Sequence, residues 1–241
     1  MADYYVYGKN AVRECIRSRD SKHVYARKRL ENDPLVRMAL NAGLPVTYVE
    51  DRELDKLAGN GHHQGIVAQA KLPELVPLRR LIDLGKERGG YPLVLILDGI
   101  EDPSNLGAIL RSCDAFGVDG VIIKNTGNVP LNSTVAKVST GAVHHVHVCG
   151  VTNLSQAISE LKDAGYWIVA SDGEANLSYD QVDYKCPIAL IVGSEGFGVS
   201  NLVLKRSDFI VKIPMVGHVN SLNASVATGI LMSHVFLSRK K

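Results

Sequence analysis

A chain of 241 residues suffices for one large or two small domains with real cores, and its 46% apolar and 22% charged residues are those of an ordinary globular protein. No apolar run approaches the roughly 20 residues that span a bilayer, and the opening MADYYVYGKN lacks the sections of a signal peptide, so no membrane association and a cytoplasmic location are expected. The net charge of +2 excludes nothing, but Lys9, Arg13, Arg17, Arg19, Lys22, Arg27, Lys28 and Arg29 meet only Asp3, Glu14 and Asp20 in the first thirty residues, a distribution that fits either a polyanion-binding face or a solvated surface.

In chain order, GKNAVRECIRSR predicts a helix, KHVYARKR a strand, DPLVRMALNAG a helix closing on Gly43, PVTYVE a strand, DRELDKLAG a helix and GIVAQAK a strand. These make a small α/β domain over residues 1–72. Three prolines and a Gly-Gly pair then surround one short amphipathic helix, which marks a linker over 73–91. Beyond it, LVLIL, GVIIK, WIVAS and IALIVG are unbroken apolar runs of the kind that a parallel sheet buries on both faces. SNLGAILRSCDAFG supplies a helix, with Leu106, Ile109, Leu110 and Cys113 on one stripe, and NLSQAISELKDAG supplies another. The expected architecture is α/β, an open parallel sheet over 92–241 behind the small N-terminal domain. Cys15, Cys113, Cys149 and Cys186 form no CxxC pattern and read as reduced thiols, mostly buried. The histidine pairs His62–His63 and His144–His145, with His147, match no zinc spacing, and no metal is expected.

Ligands of open parallel sheets collect at the C-terminal ends of strands, which singles out three loops. DGIEDPSNLGAILRS, residues 98–112, places a long polar approach before a helix that carries Arg111. VGSEGFGVSN, residues 192–201, has the glycine spacing of a phosphate-binding P-loop from Gly193 to Gly198, but Val199 stands at the lysine position and Glu195 lies inside the loop. A nucleotide triphosphatase is therefore disfavoured, and the position of the glycines late in the sheet disfavours a nicotinamide enzyme. After FIVKIP, in which Ile213, Pro214 and Met215 are expected to end a strand, Asn220, Ser221, Asn223 and Ser225 crowd the start of a final apolar helix. One of the four suffices to cap that helix, which leaves the others for a ligand or partner.

In this order, DPSNLGAILRS, VGSEGFGVS and IPMVGHVNSLNASVA resemble the three motifs of the SpoU (TrmH) family of RNA ribose 2'-O-methyltransferases, within the SPOUT superfamily. The N-terminal part, with YGKNAV and HHQGIVA, resembles that family's L30e-like RNA-binding domain. The two-part layout is more similar to the 23S rRNA guanosine 2'-O-methyltransferases of the family than to its tRNA members. The resemblance implies a deep trefoil knot near the C-terminus, a homodimer, S-adenosylmethionine as cofactor, and RNA, 23S rRNA foremost and not DNA, as partner. By motif position it implies cofactor contacts at Gly193, Ile213, Met215 and Leu222, and functional polar residues at Asn105, Arg111, Glu195, Ser221 and Asn223. The family assigns the arginine at the Arg111 position as general base. A guanidinium seldom releases a proton, so an RNA phosphate or a water held by Arg111 is the alternative acceptor. Tyr4, Tyr5, Tyr7 and Tyr25 lie among the N-terminal basic residues and could stack on unpaired bases, with core packing as the other reading. The alternative functions are transfer to tRNA or to another rRNA nucleotide, and an RNA-binding or ribosome assembly factor without turnover.

Overall fold

A computed structural model of the chain describes residues 3–59, 61–218 and 221–240. The chain divides into two compact units, one made of Met1–Pro73 and Leu131–His145, the other of Glu74–Pro130 and Val146–Lys241.

The first unit contains β1 (Asp3–Tyr7), α1 (Lys9–Arg17), β2 (Ser21–Ala26), α2 (Pro34–Asn41), β3 (Val46–Tyr48), α3 (Asp51–Ala58) and β4 (Ile66–Lys71). Its sheet runs β1-β4-β2-β3, with β4 antiparallel to both neighbours and β3 parallel to β2. α2 starts where the sequence says it should: Asp33 accepts from the Leu35 N–H at 2.9 Å and Pro34 takes the first position, where its missing N–H costs nothing. The basic cluster is partly neutralised in place, because Lys9 pairs with Asp33, Arg17 with Glu14, Arg27 with Asp51 and Lys28 with Glu31. Tyr4 is buried, whereas Tyr5, Tyr7 and Tyr25 pack half-buried against Leu54, Ala58 and Val67.

The second unit begins with α4 (Leu78–Arg88), then β5 (Leu93–Asp98), α5 (Pro103–Phe116) and β6 (Gly120–Lys124). The segment expected as a linker is thus structural, since Leu78, Leu81 and Ile82 of α4 enter the core of the parallel sheet. Turn residues flank this helix and gave the stretch its linker composition, while its apolar stripe does the packing. The chain then contributes α6 (Ser133–Val138) to the first unit and returns as β7 (Val148–Val151), α7 (Leu154–Asp163), β8 (Trp167–Ser171), β9 (Leu177–Ser178), β10 (Ile188–Gly193), α8 (Asn201–Leu204), β11 (Phe209–Lys212) and α9 (Ala224–Ser238). The strand before the third loop ends at Lys212 rather than at Met215, because Pro214 has no N–H to donate and restricts Ile213 before it. All seven strands of this sheet, ordered β7-β6-β5-β10-β8-β11-β9, pair in parallel. Alternate residues serve opposite faces: Val94, Ile96, Ala189 and Ile191 pack with α4 and α7, while α5 and α9 lie together on the other side against β6 and β10. Of the cysteines, Cys15, Cys113 and Cys149 are buried and Cys186 is half-buried, all free. Burial pushes the Cys149 thiol up to about 11 and that of Cys15 to about 12, which leaves both unreactive.

Residues 131–145 complete the first unit through His144, whose side chain is 1% exposed. Its Nδ1 lies 2.6 Å from Asp20 Oδ2 and its Nε2 2.7 Å from the Tyr4 hydroxyl. A neutral ring satisfies both, donating to the carboxylate and accepting from the phenol. Burial lowers the His144 pKa against the opposing pull of Asp20. The folded state therefore binds fewer protons than the unfolded chain below about pH 6.5, the free imidazole value. Stability is full above that pH and is lost as pH falls beneath it. Urea denaturation between pH 7 and pH 5 should show the native chain losing more stability than His144→Gln over the same interval. Equal slopes would remove His144 as the cause.

Candidate active site

Three strand ends build the site. β5 ends at Asp98, whose Oδ2 accepts from the Ser200 N–H at 2.9 Å and so ties the first loop to the second. Asp102 caps α5 by accepting from the Ser104 N–H at 3.0 Å, with Pro103 at the first helical position. α9 runs beside α5 in the same direction, with Cys113 Sγ 3.8 Å from Met232 Sδ and the Phe116 and Phe236 rings 5.8 Å apart. The N-termini of both helices consequently converge on the loop after β10.

Glu195 stands at that convergence. Its Oε1 accepts from Asn105 Nδ2 at 3.0 Å, from the Ala224 N–H at 3.2 Å and from Asn223 Nδ2, while Asn223 Nδ2 also donates to Asn105 Oδ1 at 2.8 Å. A carboxylate facing two helix N-termini is favoured by both dipoles as well as by these hydrogen bonds. Asn223 uses its other end to cap α9, its Oδ1 accepting from the Ser225 and Val226 N–H groups at 3.0 and 3.3 Å. Ser225 is part of that cap, donating its hydroxyl to the same oxygen. Of the four polar residues noted before the helix, then, Asn223 and Ser225 make the cap and Ser221 faces a cavity. Asn220 lies outside the described residues.

That cavity, of about 280 Å³, is lined by Gly193, Ile213, Met215, Ser221 and Leu222, and by Glu195 at its edge. It gathers all four residues expected to contact a cofactor. Asp172 and Glu174, in the loop after β8, also line it, as do Phe197 and Ala227. Asp172 and Glu174 were legible by the strand-end rule applied to WIVAS; Phe197 and Ala227 lie within the second and third stretches marked above, though neither was singled out there. A second cavity of about 430 Å³ shares the loop of residues 194–198 as a wall and is lined also by Asp98, Glu101 and Asp102, with Glu195 common to both. Arg111 belongs to neither cavity nor to the Glu195 network. It is exposed on α5, six residues and so about 9 Å along the helix from Asn105, and no ion pair holds it among the described residues.

Gly193 is required by the loop itself. A Cβ there would meet the carbonyl carbon of Gly198 at 2.0 Å and the nitrogen of Val199 at 2.2 Å, and both are backbone atoms that cannot swing away. Gly193→Ala is expected to cost about 2 kcal/mol through overpacking, read as a fall in melting temperature of roughly 4–8 °C for a chain of this size. An unchanged melting curve would show that the loop relaxes freely.

Residues 92–233 match the model of the SpoU rRNA Methylase family. The chain belongs to the SpoU rRNA methylase family. Residues 5–76 match a second model, described as RNA 2'-O ribose methyltransferase substrate binding. The Bacillus subtilis (strain 168) protein YacO, named for the TrmH family of tRNA/rRNA methyltransferases, is 42% identical over 241 residues, covering 98% of this chain and 96% of that protein. Among solved structures, an RNA 2'-O ribose methyltransferase superimposes with a TM-score of 0.79 at 26% identity, over 99% of this chain and 90% of that one. The SpoU methyltransferase AviRb from Streptomyces viridochromogenes, in complex with the cofactor AdoMet, has a TM-score of 0.81 at 22% identity over 99% of this chain and 91% of its own, a likeness of fold. The SPOUT-type α/β architecture expected from the three motifs is therefore the fold of this SpoU chain.

Proposed function

We propose that this SpoU family chain transfers a methyl group from S-adenosylmethionine to a ribose 2'-hydroxyl of RNA, with a guanosine of 23S rRNA as the target. The observation that carries the reading is the junction at Glu195, which is hydrogen-bonded to Asn105 and Asn223 and itself lines the cavity that holds Gly193, Ile213, Met215 and Leu222.

The cavity fits the cofactor. Gly193 leaves bare backbone along one wall; Ile213, Met215 and Leu222 offer apolar surface to an adenine ring; Asp172 and Glu174 supply acceptors for hydroxyl or ammonium groups. When bound, the sulfonium supplies an activated methyl group, so the chain's own part is binding and orientation. Glu195 spends Oε1 on three donors and serves as the positioning residue that fixes both helix starts. Ser221, also in the cavity wall, is assigned a polar contact beside the transferred group. Arg111, unpaired and exposed, forks onto a phosphate next to the target ribose. A guanidinium keeps its proton, so that phosphate, or a water between the two, accepts the proton of the hydroxyl.

Two further features of the family enter the proposal. The deep trefoil knot accompanies the fold, and a homodimer forms through α9, which leaves Val226 and Leu237 about half exposed on an otherwise apolar helix. The first unit binds RNA phosphates. Its salt dependence is expected to reflect the pairing seen above: with Lys28 held by Glu31 at 2.8 Å, replacing Lys28 and Arg29 together by Ala should lower the log–log salt slope by between one and two contacts. An unaltered slope would return the cluster to a solvated surface.

The test of the function is transfer of labelled methyl from S-adenosylmethionine to undermodified 23S rRNA, 16S rRNA and tRNA, mapped to nucleotide and to base or ribose. Label on a guanosine ribose of 23S rRNA is the expected result. Label on tRNA would keep the reaction and move the substrate. No label on any of the three RNAs and no cofactor binding either would overturn the reading and leave an RNA-binding protein.

A further inference from the structure

The tip of the loop after β10 carries an apolar ring with nothing over it. Phe197 is 97% exposed, the most exposed aromatic among the described residues. The loop that presents it is closed rather than slack. Ser194 and Gly198 exchange backbone hydrogen bonds at 3.2 and 2.9 Å, the Phe197 N–H donates to Ser194 Oγ at 3.3 Å, and Gly198 turns the chain at a φ of 64°. Phe197 therefore stands at a fixed place, and that place borders both cavities.

One of those cavities is assigned to the cofactor. The other, of about 430 Å³, is walled by Asp98, Glu101, Asp102 and Glu195, and that negative wall repels a phosphate. Such a wall admits the uncharged parts of a nucleotide, ribose and base, and of these only the base has a flat face to stack on the aromatic ring that lines the cavity. We infer that Phe197 stacks on the base of the nucleotide whose ribose is methylated, holding that base out of the RNA stack in the cavity beside Glu195. The inference rests on the methyl-transfer reading above. It makes Phe197 a substrate contact that aligns the ribose, and it asks for an unpaired or displaced target nucleotide.

The experiment compares full-length wild type with Phe197→Ala, Phe197→Leu and Phe197→Trp, using labelled S-adenosylmethionine and whichever of the three undermodified RNAs the wild type labels. Phe197→Ala should lower kcat/KM for RNA by about tenfold to hundredfold, a fall larger than any change in cofactor affinity read separately by titration calorimetry. Phe197→Trp should restore transfer, and Phe197→Leu should not, because Leu is apolar without a stacking face. On an RNA whose target nucleotide lacks its base, wild type and Phe197→Ala should become equal. Wild-type rates in Phe197→Leu, or a matching fall in cofactor affinity, would overturn the proposal. A change in sedimentation on Phe197→Ala would overturn it too, by showing that a second copy covers the ring. A wild type that labels no RNA overturns the methyl-transfer reading and this inference with it; labelled RNA with an unaffected Phe197→Ala overturns this inference alone.

Discussion

Glu195→Ala is expected to lower methyl transfer by at least two orders of magnitude while costing only about 1–2 kcal/mol of stability. The carboxylate is exposed, so its hydrogen bonds and its attraction to two helix N-termini are worth less than they would be when buried. Position is a different matter. The same oxygen fixes Asn105 on α5 and both Asn223 and the first N–H of α9, and a displacement of about 1 Å between reacting groups can cost a hundredfold in rate. Glu195→Gln separates shape from charge. Gln can present its own carbonyl to the three donors, but it takes away the charge that two helix dipoles favour and adds an amide group beside the donating amides of Asn105 and Asn223. Transfer in Glu195→Gln is expected to fall nearly as far as in Glu195→Ala, with a melting temperature within a few degrees of wild type. A Gln variant at the wild-type rate would show that the negative charge is dispensable and that the loop backbone alone aligns the helices.

The site was legible in the sequence where its signals were local. A parallel sheet announces itself in LVLIL and IALIVG, and the strand-end rule points to the loops after β5, β10 and β11. The crowding of Asn223 and Ser225 before an apolar helix marked a surplus of polar groups, and the structure resolves it as one cap and one network built by the same residue. What the sequence hid was non-local. That Asn105, Glu195 and Asn223 meet depends on α5 and α9 running side by side in the same direction, and no periodicity specifies which helix lies beside which. The excursion of residues 131–145 into the first unit was hidden for the same reason. Its anchor, His144, looks like one of several surface histidines until Asp20 and Tyr4, distant in the chain, are found on either side of the ring. β1 also escaped notice, because DYYVY is only five residues long and shows no alternation of apolar and polar positions. Composition misled at α4, where breakers at both ends outweighed a short apolar stripe.

Arg111→Ala is expected to reduce transfer by about a thousandfold, the size of loss seen when a preorganised charge contact to the reacting groups is removed. Cofactor affinity should stay within about twofold, because Arg111 lines neither cavity. The residue's own surroundings say why the loss belongs to the RNA side: an exposed guanidinium with no ion pair among the described residues has its fork free for a phosphate. Arg111→Lys decides between the two roles considered for this position. If Arg111 anchors a phosphate, Lys keeps a point charge, loses the fork, and recovers transfer to about a tenth of wild type with an unshifted pH profile. If the side chain itself took the proton, Lys, whose ordinary pKa near 10.4 is far below that of a guanidinium, would serve as a better base. Transfer by Arg111→Lys would then climb steeply between pH 8 and pH 10 and could exceed that of the wild type. A flat profile leaves the proton to the phosphate oxygen or to the water that Arg111 holds, and it makes the arginine the group that brings that acceptor to the ribose.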